Sequence, residues 1–132
     1  NTLTGVPMMA QLAALTILIV NFRLDLYGSL RNFLKGLGWY HTFAFDFDTG
    51  YEAVTKVDAA VIVWGDMENT HEGITLIQRA AKMNPQTVMI AASRDGGVRD
   101  QQVEAGCKYS VRNKEELPAL LEKIRGELPE TA

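Results

Sequence analysis

Short apolar runs alternate along this chain with stretches whose apolar residues recur every three or four positions. The first run is Thr16–Val20, rich in β-branched residues and apolar enough to be buried on both faces. Asn21-Phe22-Arg23 follows as a loop. Leu24, Leu30, Phe33, Leu34 and Leu37 then recur at helical spacing, and Gly36 and Gly38 end the helix. Trp39 to Phe47 alternates as a strand with one wetter face. Asp48-Thr49-Gly50 is a turn, with Asp48 or Thr49 as the N-cap of a short helix through Val57. The central run, Ala59 to Trp64, is an unbroken apolar strand that ends in Gly65 and Asp66.

The second half repeats the scheme. A loop from Asp66 to His71 leads to a helix from about Glu72 to Met83, closed by Asn84-Pro85. Thr87 to Ala92 is another buried strand, and Ser93 to Gly97 a flexible loop. A weak helix runs on to Ala105 and is capped by Gly106. Cys107 to Val111 is a last short strand. Lys114 to Leu128 is an amphipathic helix with Leu117, Leu120, Leu121, Ile124 and Leu128 inward and Pro118 in its first turn.

Strand–helix repeated five times predicts a parallel α/β sheet with right-handed crossovers. At this length the expectation is the flavodoxin-like, doubly wound form with five strands in the order 2-1-3-4-5. The folded unit is expected over residues 16–128. Residues 129–132 read as a tail. Residues 1–15 read as an extension or linker, or as a helix over Met8 to Leu15 that packs on the domain or on a partner. Ligands of such sheets bind at the carboxyl ends of the strands, which puts Gly65 and Asp66 where chemistry would be.

Charge and composition narrow the function classes. The 132 residues carry a formal net charge of −3 and no long basic run, so direct nucleic-acid binding is not expected. No apolar run reaches the roughly 18 residues of a membrane span. The single cysteine, Cys107, excludes an internal disulfide and fits a reducing, cytoplasmic setting. The chain starts at Asn1 rather than Met, which fits a processed chain or a piece of a larger protein. No nucleophile–base pair marks it as an enzyme. Asp66, Glu68 and His71 match no metal-ligand spacing, and Asp46 and Asp48 suit a strand edge and a helix cap better than a metal site.

Five segments in order resemble the CheY-type receiver domain of two-component signalling. TILIVNFR resembles its first strand, and LRNFLKGLGW its first helix and the turn behind it. FDTGYEAV resembles the opening of its second helix. THEGITLIQRAAKMNP resembles its M-D-G-x-x-L-L segment, and EAGCKYSVR its E-A-G-A…Y-V-x-K segment. The resemblance covers about Thr16 to Leu128.

It implies a phosphoacceptor aspartate after the third strand, working with Mg²⁺ held by acids after the first. Here those acid positions read Asn21, Phe22 and Arg23: one neutral oxygen, none, and a cation. Counting back from Gly73 puts Gly65 at the acceptor position, and Asp66 reaches it only through a loop one residue shorter. Adjacent strand residues point to opposite faces, so the slip matters. Ala92 falls at the place of the switch hydroxyl, with Ser93 next door. Tyr109 takes the place of the switching aromatic, and Arg112 that of the family's lysine, which a planar guanidinium does not replace.

The resemblance therefore implies an atypical receiver, a pseudo-receiver that regulates by protein contact without a cofactor or metal. Its partner would be a separate protein or a fused kinase or output domain. A homodimer through the face of residues 98–111 and 115–128 is also implied. Two alternatives stay open: a working phosphoreceiver using Asp66, with Mg²⁺, or a small-anion or nucleotide-binding regulatory domain using Arg23 and Arg112.

Overall fold

The computed structural model describes the backbone of residues 16–21 and 24–128, with the side chains of all of these except 24–27 and 29. The readings made for residues 1–15, for Phe22 and Arg23 and for residues 129–132 lie outside that range. The strands are β1 (Thr16–Val20), β2 (Tyr40–Ala44), β3 (Val61–Trp64), β4 (Val88–Ala91) and β5 (Tyr109–Ser110). The helices are α1 (Leu24–Gly36), α2 (Phe47–Lys56), α3 (Thr70–Met83), α4 (Gly96–Ala105) and α5 (Leu117–Glu127). Every strand pairing is parallel, and the order β2-β1-β3-β4-β5 is the expected 2-1-3-4-5.

Strand alternation sorts the core into two layers. Ile17 and Ile19 of β1, Val61 and Val63 of β3, and Ile90 of β4 pack against Leu30 and Leu34 of α1 and Leu117, Leu121 and Ile124 of α5. Leu18, Val20, Ile62, Trp64 and Met89 face the other way, onto Val54 of α2 and Leu76, Ile77 and Ala80 of α3. Trp64 is buried in this second layer, its indole N–H 3.2 Å from the sulfur of Met89. With both faces covered, an unbroken apolar run is what each central strand requires.

The element ends differ from the sequence reading, and capping explains most of the differences. The N-cap of α2 is Asp46, not Asp48 or Thr49. Its carboxylate accepts the Thr49 backbone N–H at 2.8 Å, and the Thr49 hydroxyl closes a capping box with the Asp46 N–H. That box takes Phe45 to Phe47 out of the strand. The helix α3 begins at Thr70, two residues early, because Asn69 caps it through the Glu72 N–H. β3 starts at Val61 rather than Ala59. β5 shrinks to Tyr109–Ser110 because Gly106, at φ +144°, turns the chain and Cys107 N–H bonds back to Gln102. α5 is preceded by a 3₁₀ turn over Lys114–Glu116, so the last helix opens at Leu117, with Pro118 in its first turn.

Candidate functional site

At the carboxyl edge of the sheet the backbone register continues one step past the strands. Trp64 pairs with Val20 and with Ala91, and beyond them the Gly65 N–H bonds the Val20 carbonyl at 2.7 Å. Gly65 therefore faces the residue after β1, which is Asn21. Asn21 is 3% exposed, and its side-chain oxygen accepts the Asp66 N–H at 2.9 Å. A Cβ at position 65 would lie 2.8 Å from both Cγ and Oδ1 of Asn21. The asparagine fills the space that any side chain on residue 65 would need, so the position is held to glycine by contact, not by backbone conformation.

Asp66, one residue on, turns towards β4. Its Oδ1 accepts the Ser93 hydroxyl at 2.7 Å and the Arg94 backbone N–H at 3.2 Å. Its Oδ2 accepts Arg94 Nε at 2.9 Å, an ion pair whose arginine is mostly exposed. Burial pushes the Asp66 carboxyl up, but the hydrogen bonds from Ser93 and Arg94 and the charge of Arg94 outweigh it, and the group sits below the usual aspartate value.

Ser93 is fully buried, and the segment expected to be a flexible loop is pinned at several points. Gln102, on the inner face of α4 and 3% exposed, donates to the Gly65 carbonyl at 3.0 Å and accepts the Ser93 N–H at 3.3 Å. Arg99 donates to the Ser93 carbonyl at 2.8 Å. The Asp95 carboxylate caps α4 through the Val98 N–H. One side of this network opens into a cleft of about 170 Å³ between α3 and α4, bordered by Asp66, Met67, Thr70, Ile74, Asp95 and Val98.

The structure thus joins Asn21, Gly65, Asp66 and Ser93, and leaves Ala92, Tyr109 and Arg112 apart. Ala92 is spent on the ladder, its N–H bonding the Trp64 carbonyl. Arg112 is exposed and pairs with no acid among the described residues; among them the ion-pair partner of Asp66 is Arg94. Tyr109 is tied to α5: its hydroxyl donates to Glu127 at 2.9 Å, and Lys108 and Lys123 lie over its ring. Arg94, Arg99 and Gln102 were not picked out from the sequence. Arg94 and Arg99 carried no signal, being ordinary surface types in a loop and a weak helix. Gln102 did carry one. Val98, Gln102 and Ala105 share helical spacing on the inner face of α4, and a glutamine on an inner face needs polar partners.

No known family model matches this chain, and no curated protein does. Solved structures do match. A CheY-like response regulator receiver domain protein from Methanospirillum hungatei JF-1 is 19% identical, with a TM-score of 0.71 over 86% of this chain and 95% of that one. The signal receiver domain of an HD domain-containing protein from Pseudomonas fluorescens Pf-5 is 17% identical, with a TM-score of 0.73 over 87% of this chain and 99% of that one. A response regulator from Burkholderia pseudomallei, solved with a phosphorylated aspartic acid, a calcium ion and citrate, is 17% identical, with a TM-score of 0.69 over 86% of this chain and 69% of that one. The fold is that of CheY-like receiver domains.

The divalent cation that a resemblance to receiver domains implies does not suit the donors present here. Mg²⁺ takes hard oxygen ligands, usually one or two carboxylates with waters. At this edge the described residues offer two carboxylates, Asp66, already paired with a guanidinium, and Asp95, engaged as the cap of α4, and one amide oxygen, Asn21 Oδ1, already taken by a backbone N–H. Among the described residues no three His, Cys, Asp or Glu side chains come together as a metal-holding group.

Proposed function

We propose that this chain is an atypical receiver domain of two-component signalling that regulates by protein contact, without Asp–Mg²⁺ phosphorylation and without catalysing a reaction of its own. The observation that carries this is the contact at the end of β3: a side chain on residue 65 would run into Asn21 at 2.8 Å. On this reading the acceptor place and the acid place have been lost together, and Asn21 now blocks a side chain at position 65. Asp66 does not substitute for the missing acid on that side, since it points to β4 and is held there by Ser93 and Arg94.

On this reading the working surface is a contact face, and the partner is a separate protein or a kinase or output domain on the same polypeptide, in the cytoplasm. The face of residues 98–111 and 115–128 is the proposed site, including self-association. Tyr109 lies there, its hydroxyl donating to Glu127 and its ring close to Lys108 and Lys123.

The competing reading, Asp66 as phosphoacceptor, has one observation in its favour: Ser93 places a hydroxyl 2.7 Å from the carboxylate. Incubation with acetyl phosphate and Mg²⁺, followed by intact-mass measurement, separates the two. The expected result is no gain of a phosphate. A stable gain of one phosphate that disappears in Asp66→Asn would replace the pseudo-receiver with a working receiver.

A further inference from the structure

Resting on the reading of the domain as a contact regulator, we propose that the patch around Tyr109, between β5 and α5, takes a partner protein that presents an acidic segment. The patch is built by spacing. Leu120, Lys123 and Glu127 recur at three and four residues, so they form one stripe along α5. Leu120 packs on the core, and Lys123 and Glu127 are left exposed beside the half-buried Tyr109. Lys123 Nζ lies 5.5 Å from the centre of the Tyr109 ring. Lys108 Nζ, from the residue before the tyrosine, lies 5.4 Å from the same centre. The Tyr109 hydroxyl donates to Glu127 at 2.9 Å.

Two ammoniums thus gather at one ring, while the acid beside them is engaged by the phenol. Neither lysine makes an ion pair with an Asp or Glu among the described residues. Lys123 and Glu127 stand four residues apart, the spacing at which helical pairs form, yet the glutamate is turned to Tyr109 instead. An aromatic face attracts a cation but carries no net charge, so the positive charge of the patch stays uncompensated. Carboxylates supply what the ring does not: opposite charge and charge-assisted hydrogen bonds to each ammonium. Arg112, two residues past β5, is exposed and also pairs with no acid among the described residues, which extends the positive charge. A second copy meeting this patch about a two-fold axis would set the same lysines against each other, so the fitting occupant is a different protein segment. The net charge of −3 and the lack of a long basic run weigh against a nucleic acid.

The test is titration of the ¹⁵N-labelled domain with the peptide acetyl-Glu-Asp-Leu-Glu-Asp-amide and, separately, with its neutral counterpart acetyl-Gln-Asn-Leu-Gln-Asn-amide, without phosphate donor or divalent cation. Saturable shifts of the Lys108, Tyr109 and Lys123 amides with the acidic peptide, weaker in high salt, and none with the neutral one, are expected. Lys108→Gln and Lys123→Gln are each expected to weaken binding roughly two- to fivefold, with the urea midpoint unchanged. Tyr109→Phe alters no charge but releases Glu127 to pair with Lys123, and it is expected to weaken binding as well. Absence of saturable shifts, equal shifts with the neutral peptide, or unchanged affinity in both lysine variants would overturn the proposal. So would an oligothymidylate that moves the same amides at lower concentration than the peptide, which would assign the patch to nucleic acid. A dimer seen by sedimentation and lost in Lys123→Gln would also overturn it, in favour of a second copy. No peptide binding together with no phosphate gain from acetyl phosphate removes this patch alone. A phosphate gain removes the contact-regulator reading whatever the peptide does.

Discussion

Gly65 and Asp66 are neighbours at the end of one strand, yet they face two regions built on different plans. Towards β1 the rim is closed: Asn21 is buried, its oxygen is bound, and its side chain occupies the room of a missing Cβ. Towards β4 the rim is polar and open. A carboxylate, a hydroxyl and two arginines meet there beside a cleft. Alternation along a strand makes the contrast possible, because one residue of offset sends an acid to the opposite face. The lesson is that an acid in the right segment is not an acid in the right place. Moving Asp66 by one position would bring it against Asn21, and leaving it where it is gives it Arg94 in place of a metal.

The largest effect is expected from refilling the closed side. Gly65→Ala forces a contact of 2.8 Å onto buried Asn21 and is expected to cost about 1–3 kcal/mol, the usual range for overpacking. Gly65→Asp adds a poorly solvated charge and is expected to cost more. Urea unfolding measures both. Pairing Gly65→Ala with Asn21→Gly, which removes the opposing atoms, is expected to recover part of the loss, giving a clear coupling in a double-mutant cycle. If Gly65→Asp were as stable as the parent, the closed side would be open after all, and the case against an acceptor there would fall.

The comparison also shows what could be read before the structure and what could not. The sheet was legible because Thr16–Val20, Ala60–Val63 and Val88–Ala91 are continuous apolar runs, and only burial on both faces asks for that. Its strand order came from the strand–helix repeat and the length of the chain. Asn21, Gly65, Asp66 and Ser93 were legible as candidates, and the choice between Gly65 and Asp66 was framed as a matter of one residue. The partner of Asp66 was not legible. Arg94 follows Ser93 directly in the loop, and which of several arginines reaches a carboxylate depends on how that loop turns. The loop turns as it does because Gln102 and Asp95 hold it, and those are contacts between elements. The cap of α2 was missed for a similar reason. Asp46, Asp48 and Thr49 are all acceptable caps, and only the capping box decides among them.

A middle-sized effect is expected at the joint between the two sides. Gln102 touches both, through the Gly65 carbonyl and the Ser93 N–H. Gln102→Leu keeps the volume and strands both groups in a buried setting. It is expected to cost about 1–3 kcal/mol by urea unfolding, the cost of an unsatisfied buried donor or acceptor. Hydrogen exchange sharpens the point: the Ser93 amide is expected to lose protection while amides of β1 keep theirs. Equal protection across the whole rim would mean that the glutamine does not tie the two sides together.

The smallest effect on stability is expected on the open side, at Arg94. The arginine is 61% exposed, and an exposed ion pair contributes about 0–1 kcal/mol and is screened by salt. Arg94→Gln is therefore expected to move the urea midpoint little at neutral pH, and less still in high salt. Its pH signature is more informative. Burial raises the Asp66 carboxyl, but the hydrogen bonds from Ser93 and Arg94 and the charge of Arg94 outweigh it and hold the group below the usual aspartate value. A carboxyl lowered on folding contributes stability that is fully present above its unfolded pKa and is lost as pH falls through its folded value. Arg94→Gln removes the side-chain donor and the charge but keeps the Ser93 and backbone bonds. The Asp66 titration, followed by carbon NMR of its carboxyl, is expected to move upwards, and the variant's acid unfolding to begin at higher pH than the parent's. In Asp66→Asn the contribution of this group to the acid transition is expected to vanish, and adding Arg94→Gln to it is expected to change the transition no further. An Asp66 titration unchanged by Arg94→Gln would show that Ser93 and the backbone hold the carboxylate by themselves, and the ion pair would drop out of the description of the open side.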